Sequence, residues 1–152
     1  MQKVFTQAAE LEKLSKEKFS IPPFLLMENA ARKMADFIIS KNPESVLILC
    51  GKGNNGGDGY ALARMLLDKC QVLVYCQESP NTQEAQVQYQ MCIKLGVKIV
   101  TDFILPEKKP SVIVIPTKVQ TAVFCVRYAC ARSHCTARKR EIGSEIIATS
   151  RD

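Results

Sequence analysis

Long apolar runs are missing from this 152-residue chain. No stretch approaches the roughly 20 residues a membrane-spanning helix needs, and Met1 to Leu14 is polar and helix-like, with no apolar signal-peptide segment. A soluble, cytoplasmic protein with no membrane partner is therefore expected. Glycine and proline are sparse, 7 of each, which disfavours collagen-like and disordered chains. Histidine is scarcer still: His134 is the sole one, so imidazole-based catalysis is excluded from everything before it. Cysteine is not scarce, but 7 is an odd number in a chain with no secretory signal, so free thiols are expected rather than a disulfide framework. With 47% hydrophobic and 24% charged residues, the length gives one domain able to bury about two thirds of its unfolded surface.

The net charge of +6 suggests nucleic acid until its distribution is considered. Before Pro110 the chain carries 14 basic and 12 acidic residues, and from there on 7 and 3. Arg127, Arg132, Arg138, Arg140 and Arg151 crowd into the end with Cys125, Cys130 and Cys135, whereas the first part has only Arg32 and Arg64. This shift marks a boundary between Ile115 and Lys118, dividing the chain into a domain over 1–115 and a basic, Cys-containing tail over 116–152. From Arg127 on, no aromatic platform other than Tyr128 accompanies the arginines, so a solvated segment is favoured over a nucleic-acid surface.

Helical periodicity predicts a first helix from Thr6 to Lys18 and a second from Phe24 to Ser40, separated by Ile21-Pro22 in extended conformation. Val46–Cys50, Val72–Cys76, Val97–Val100 and Ser111–Ile115 are apolar runs of strand length. Between them the pattern predicts a helix over Tyr60–Lys69 and a further one, opened by the capping-box-like Asn81-Thr82-Gln83-Glu84, running to about Leu95 and stopped by Gly96. Alternating strand and helix imply an α/β fold with a mainly parallel sheet and right-handed crossovers. After Pro116 the pattern weakens: Val119–Val126 fits a short helix or strand, and Ile142–Thr149 is weakly helical. Four strands and an unpatterned end leave a doubly wound sheet incomplete at its C-terminus.

The informative segment is Gly51-Lys52-Gly53-Asn54-Asn55-Gly56-Gly57-Asp58-Gly59, expected as a turn between the first strand and the next helix. Ligands bind at the carboxyl ends of strands in such sheets. Glycines let the backbone approach a ligand, and a following helix N-terminus favours a phosphate. Asn54 and Asn55 offer amide donors and carbonyl acceptors, and Asp58 a fixed carboxylate. The plainer alternative is a glycine-rich turn with Asp58 as N-cap. Gly51, Gly53 and Gly56 also satisfy G-x-G-x-x-G, and Glu78 follows the second strand where a ribose-binding acid would sit, so an ordinary NAD-binding oxidoreductase domain competes. Against it, two helices precede the first strand, and Asn-Asn-Gly-Gly-Asp-Gly is more particular than the three-glycine rule. No Gly-Lys-Ser/Thr follows, so the segment is not a P-loop.

The stretch Ile21-Pro22-Pro23-Phe24-Leu25-Leu26-Met27-Glu28-Asn29-Ala30-Ala31, then Val46–Cys50, Gly51–Asp58 and Ala63-Arg64, resembles the YjeF N-terminal domain family, the NAD(P)H-hydrate epimerases. The resemblance runs from about Leu11 to Ile115. It implies a three-layer α/β/α Rossmann-like fold and interconversion of the R and S forms of hydrated NADH or NADPH, restored to the cofactor by a separate dehydratase. A homodimer is also expected. Asn54, Asn55, Gly56, Gly57 and Asp58 match the family's substrate-binding loop, and Asn55 a ligand of its potassium ion. Glu28 and Asn29 match its helix motif and serve equally well as structural residues.

The family's fourth strand ends in an acidic potassium ligand followed by Gly-Thr-Gly, where this chain has Ile115 and Pro116-Thr117-Lys118. A later Asp-x-Pro-Ser-Gly has no counterpart. The acid–base residue is therefore unassigned, with Asp58, the only family-matched carboxylate in the expected pocket, as candidate, and a non-catalytic nucleotide-binding or scaffold protein is the alternative. The coincidence of this departure with the change in Arg and Cys usage suggests a truncated or frameshifted C-terminus. Cys125, Cys130, His134 and Cys135 lack the C-x-x-C spacing of a zinc site.

Overall fold

The computed structural model describes residues 13–102 and 109–116, and the backbone of 121–125 and 146–149. Residues 13–19 are helical. The next helix, α1 (Pro23–Ser40), begins as Pro22-Pro23 dictates: Pro22 is extended (φ −69°, ψ 141°), and proline opens the first turn where its missing N–H costs nothing. Its end is set by Asn42, in the left-handed region at φ 49° and tolerated there because asparagine adopts it readily. Met27, Ala31, Met34, Ala35 and Ile38 form the buried stripe.

Strand and helix then alternate through β1 (Ser45–Cys50), α2 (Asn54–Leu66), β2 (Gln71–Cys76), α3 (Gln83–Lys94), β3 (Lys98–Val100) and β4 (Val112–Ile115), followed by β5 (Thr121–Cys125) and β6 (Ile146–Thr149). The sheet order is β3-β2-β1-β4-β5-β6. The first four strands are parallel neighbours, in register at Ile48↔Val74 and Ile48↔Val114, and β5 and β6 add antiparallel. The expected α/β class and mainly parallel sheet are therefore present. β5 pairs Ile115 with Ala122, so the sheet continues across the compositional boundary.

Register sorts the side chains. Val46, Ile48 and Cys50 share a face with Val74, Cys76, Val112 and Val114, and all pack into one cluster with Ala31, Ile38, Tyr60, Leu62 and Leu66 of the helices. Right-handed crossovers in a sheet running outward from β1 to β3 place α2 and α3 on this face, and α1 packs beside α2. The other face carries Leu47, Leu49, Leu73, Tyr75, Ile113 and Ile115, mostly half-buried. The third layer of the expected sandwich falls outside the described residues.

Three expectations need correction. The helix assigned to Tyr60–Lys69 starts six residues earlier, at Asn54, and ends at Leu66, so most of the glycine-rich segment is helix rather than turn. Its N-cap is Gly53, not Asp58. Residues 146–149, in the stretch with weak helical character, form β6: a four-residue run containing two Ile and a Thr has no decisive period, and β-branched residues suit pairing along β5. The first helix before residue 13, Cys130, His134 and Cys135 lie outside the described residues, and only the backbone of Cys125 is described. Among the described residues, no helix is long and apolar enough to cross a membrane, and no cluster of three His, Cys, Asp or Glu side chains could hold a metal.

Candidate functional site

From β1 the chain runs outward to β2 and β3, then returns to the opposite side of β1 as β4. Connections leave β1 and β4 in opposite directions, and the crevice at their carboxyl ends is where an open α/β sheet receives a ligand. Gly51 follows β1 there, and Pro116 follows β4. A hollow of about 530 Å³ lies at the other end of the sheet, between Ser45, Leu67, Cys70, Gln71, Lys98 and Pro110. It sits at strand starts, and only Lys98 among these residues is charged, so the glycine-rich end remains the candidate.

The five glycines of this segment divide into two groups. A β-carbon on Gly56 would stand 1.8 Å from the Gly51 carbonyl oxygen, and one on Gly59 would stand 2.6 Å from Cys50 Sγ and 3.1 Å from Pro116 Cγ. On Gly57 it would meet the tip of Met27 at 2.6 Å and Ala85 Cα at 3.1 Å. These three glycines let α2 press against β1, α1 and α3. They serve packing, whatever else they touch. Gly51 and Gly53 have nothing within 4 Å of the corresponding position. Their backbone is the part left open to a ligand.

Asn54 is exposed in the first turn of α2, Asn55 is half-buried, and Asp58 is only 4% exposed one turn further on. The structure thus places Asn54, Asn55, Gly56, Gly57 and Asp58 on one helix start, with Asp58 enclosed rather than presented to solvent. Potassium takes oxygen ligands, and Ile115 and Pro116 at the end of β4 supply no side-chain oxygen. An ion held at the Asn55 carboxamide would draw its other oxygens from backbone carbonyls or from a phosphate-bearing ligand.

Beneath the loop lies a shell of thiols. Tyr60 Oη–H donates to Cys76 Sγ at 2.7 Å, Cys76 Sγ–H to the Glu78 carbonyl at 2.8 Å, and Cys92 Sγ–H to the Tyr60 carbonyl at 3.0 Å. Cys50, Cys70, Cys76 and Cys92 are all free. Burial holds the Cys50 thiol well above its ordinary range, reinforced by Cys76 and Cys92, and pushes Cys92 up to about 11 against the opposing pull of Arg64. Burial and the Cys76 contact likewise raise Tyr60. Enclosure thus favours the neutral forms of Cys50, Cys92 and Tyr60.

Loops after β1 and β2 are joined twice. The Asn81 N–H donates to the Lys52 carbonyl at 2.8 Å, and Lys52 Nζ pairs with Glu78 Oε2 at 3.0 Å. Further down the helices, Glu28 of α1 accepts from Arg64 of α2 and Gln88 of α3, and Arg64 Nη2 lies 3.4 Å from Gln88 Oε1. Arg64 Nε is buried with no hydrogen-bond partner among the described residues. Glu28 is thus a three-helix tie, neither exposed nor a cap, whereas Asn29 is exposed. Gln88, fully buried, had escaped the sequence reading. Its signal was spacing: Ala85, Gln88 and Cys92 recur on one face of α3.

Comparison with known proteins agrees with this arrangement. The crystal structure of the yeast protein ynu0 superposes with a TM-score of 0.62 at 23% identity, covering 72% of this chain and 53% of that one, which establishes a shared fold. An NAD(P)H-hydrate epimerase of Rhodopirellula baltica is 43% identical over 94 residues, 59% of this chain and 38% of that protein. A bifunctional NAD(P)H-hydrate repair enzyme of Helicobacter pylori is 36% identical over 101 residues, 65% of this chain and 22% of its own length. The chain thus spans less than half the length of these two sequence relatives. Residues 24–117, from α1 through the end of β4, match the family described as YjeF-related protein N-terminus, and the chain belongs to that family.

Proposed function

We propose that the chain acts as an NAD(P)H-hydrate epimerase, interconverting the R and S forms of hydrated NADH or NADPH. The observation that carries the reading is the glycine-rich start of α2 at the carboxyl end of β1, in a chain of this family, with Gly51 and Gly53 open and Asn54 and Asn55 beside them. A pyrophosphate-bearing dinucleotide suits backbone amides at a helix N-terminus. Asn54 and Asn55 would orient it through carboxamide contacts. The hydrated carbon bears its hydroxyl beside the ring nitrogen, so inversion there can proceed by protonating that hydroxyl, losing it as water to leave a planar iminium carbon, and adding water back on the other face with loss of a proton. Asp58 is the carboxylate proposed either to bind substrate or to give and take that proton. Its enclosure suits a group working away from bulk water. Potassium enters as a counter-charge to phosphate near Asn55, and no proton-transfer step depends on it.

A separate dehydratase specific for the S form would consume the product, and the reaction would take place in the cytoplasm; a homodimer is the state we propose, tested by light scattering. The deciding experiment couples hydrated NADH to an S-specific dehydratase, with and without potassium. Turnover that falls at least about 100-fold in Asp58→Ala supports the enzyme. Binding without turnover would instead support a nucleotide-binding scaffold, the reading favoured by the apolar Ile115 and Pro116 at the end of β4.

A further inference from the structure

Lys52 stands between Gly51 and Gly53, the two glycines with open space around them, and its ammonium lies 3.0 Å from Glu78 Oε2. The Asn81 N–H to Lys52 carbonyl bond fixes the backbone of one loop against the other. Both side chains are largely exposed, 56% and 62%. Pairs of this kind contribute little to stability, so either partner can exchange the other for a ligand at small cost. A carboxylate only accepts hydrogen bonds, which suits a ribose diol and repels a phosphate. An ammonium does the reverse.

We infer that the Lys52–Glu78 pair sets the choice between the two hydrated dinucleotides, Glu78 accepting from the hydroxyls of the adenosine ribose and so favouring the form without a 2′-phosphate. This rests on the function proposed above. Glu78 follows β2, the strand next to β1, so it lies to one side of the glycine-rich loop rather than over it. That position matches the end of a dinucleotide whose pyrophosphate sits on the loop. Lys52 keeps the carboxylate from repelling the pyrophosphate. With Glu78 replaced by glutamine, the same ammonium is free to take a 2′-phosphate, which carries a charge of about −1.5 to −2.

The test uses 5′-AMP and 2′,5′-ADP, which differ only by the 2′-phosphate, with dissociation constants from calorimetry on the full chain. The native protein should bind 5′-AMP at least as tightly. Glu78→Gln should move the ratio of affinities toward 2′,5′-ADP by about tenfold, and adding Lys52→Gln should abolish that gain. A ratio unchanged in Glu78→Gln, a gain that survives in the double variant, or no binding of either adenylate overturns the inference. Epimerisation of hydrated NADH and NADPH by the native chain separates the two ideas: no turnover of either hydrate, with the adenylate ratio shifting in Glu78→Gln as expected, removes the proposed activity alone, and turnover of both hydrates with that ratio unchanged in Glu78→Gln removes only the role of the pair.

Discussion

Gly56, Gly57 and Gly59 have no room for a β-carbon, whereas Gly51 and Gly53, in the same nine residues, face open space. One residue type therefore answers two demands. The packed group lets a helix begin against the end of β1, and the open group leaves backbone exposed beside it. A motif that looks uniform in sequence is thus part scaffold and part surface, and substitutions should separate the two.

The largest effect is expected at Gly56. An alanine methyl 1.8 Å from a backbone oxygen can be relieved only by moving β1 or α2, so Gly56→Ala should cost at least about 3 kcal/mol in urea unfolding. At Gly57 the obstruction is chiefly the flexible end of Met27, and the loss should be smaller, about 1 kcal/mol. Equal losses at the two positions would show that the backbone contact does not define the packed side.

Next comes the tie that holds the helices behind that packed side. Glu28→Ala leaves Arg64 charged, mostly enclosed and facing Gln88, with its Nε already unpartnered. Loss of one member of such a pair should cost about 2 to 4 kcal/mol, and Glu28→Gln should recover part of it by keeping an acceptor for both neighbours. If thermal unfolding shifts no more for Glu28→Ala than for an exposed substitution such as Asn29→Ala, the tie carries no stability.

A smaller effect follows from the thiols beneath the loop. Cys92 holds its proton more tightly folded than unfolded, with its value moved from 9.0 to about 11. The stability this represents is fully present below pH 9 and is lost as pH climbs through 11, on the order of 2 kcal/mol. Cys50 and Tyr60 shift in the same direction, so Cys92→Ala should flatten part of the alkaline limb in pH-dependent denaturation. An unchanged alkaline slope would mean that Cys92 does not titrate in this window.

Much of this was legible in the sequence, and the exceptions have physical causes. Val46–Cys50 and Val72–Cys76 read as strands because both faces are apolar, and Pro22-Pro23 announced the start of α1. The true start of α2 was hidden because Asn54 to Gly59 contains three glycines and two asparagines, poor helix formers in isolation. Packing overrides that preference, since the same glycines let the turn seat against Ile48, Cys50 and Ala85. Asp58 was recognisable as a distinctive carboxylate but not as an enclosed one, because enclosure depends on the helix beginning early. Gln88 is polar, so its place in the α3 stripe was concealed by its chemistry rather than by its spacing.

The smallest stability effects belong to the open side, where the comparison is sharpest. Gly53 has φ −95° and ψ −165°, a conformation any residue adopts, and at an N-cap alanine is poorer than glycine by under about 1 kcal/mol. Gly51→Ala and Gly53→Ala should therefore leave urea midpoints near that of the native chain. A methyl placed in the open space would nevertheless stand where a pyrophosphate must approach the backbone, so 5′-AMP affinity should fall by about tenfold in at least one of the two. Because the fold is spared, the loss would report ligand approach directly. Full affinity in both variants would place the nucleotide elsewhere, and the open glycines would then be a feature of the turn rather than of a binding site.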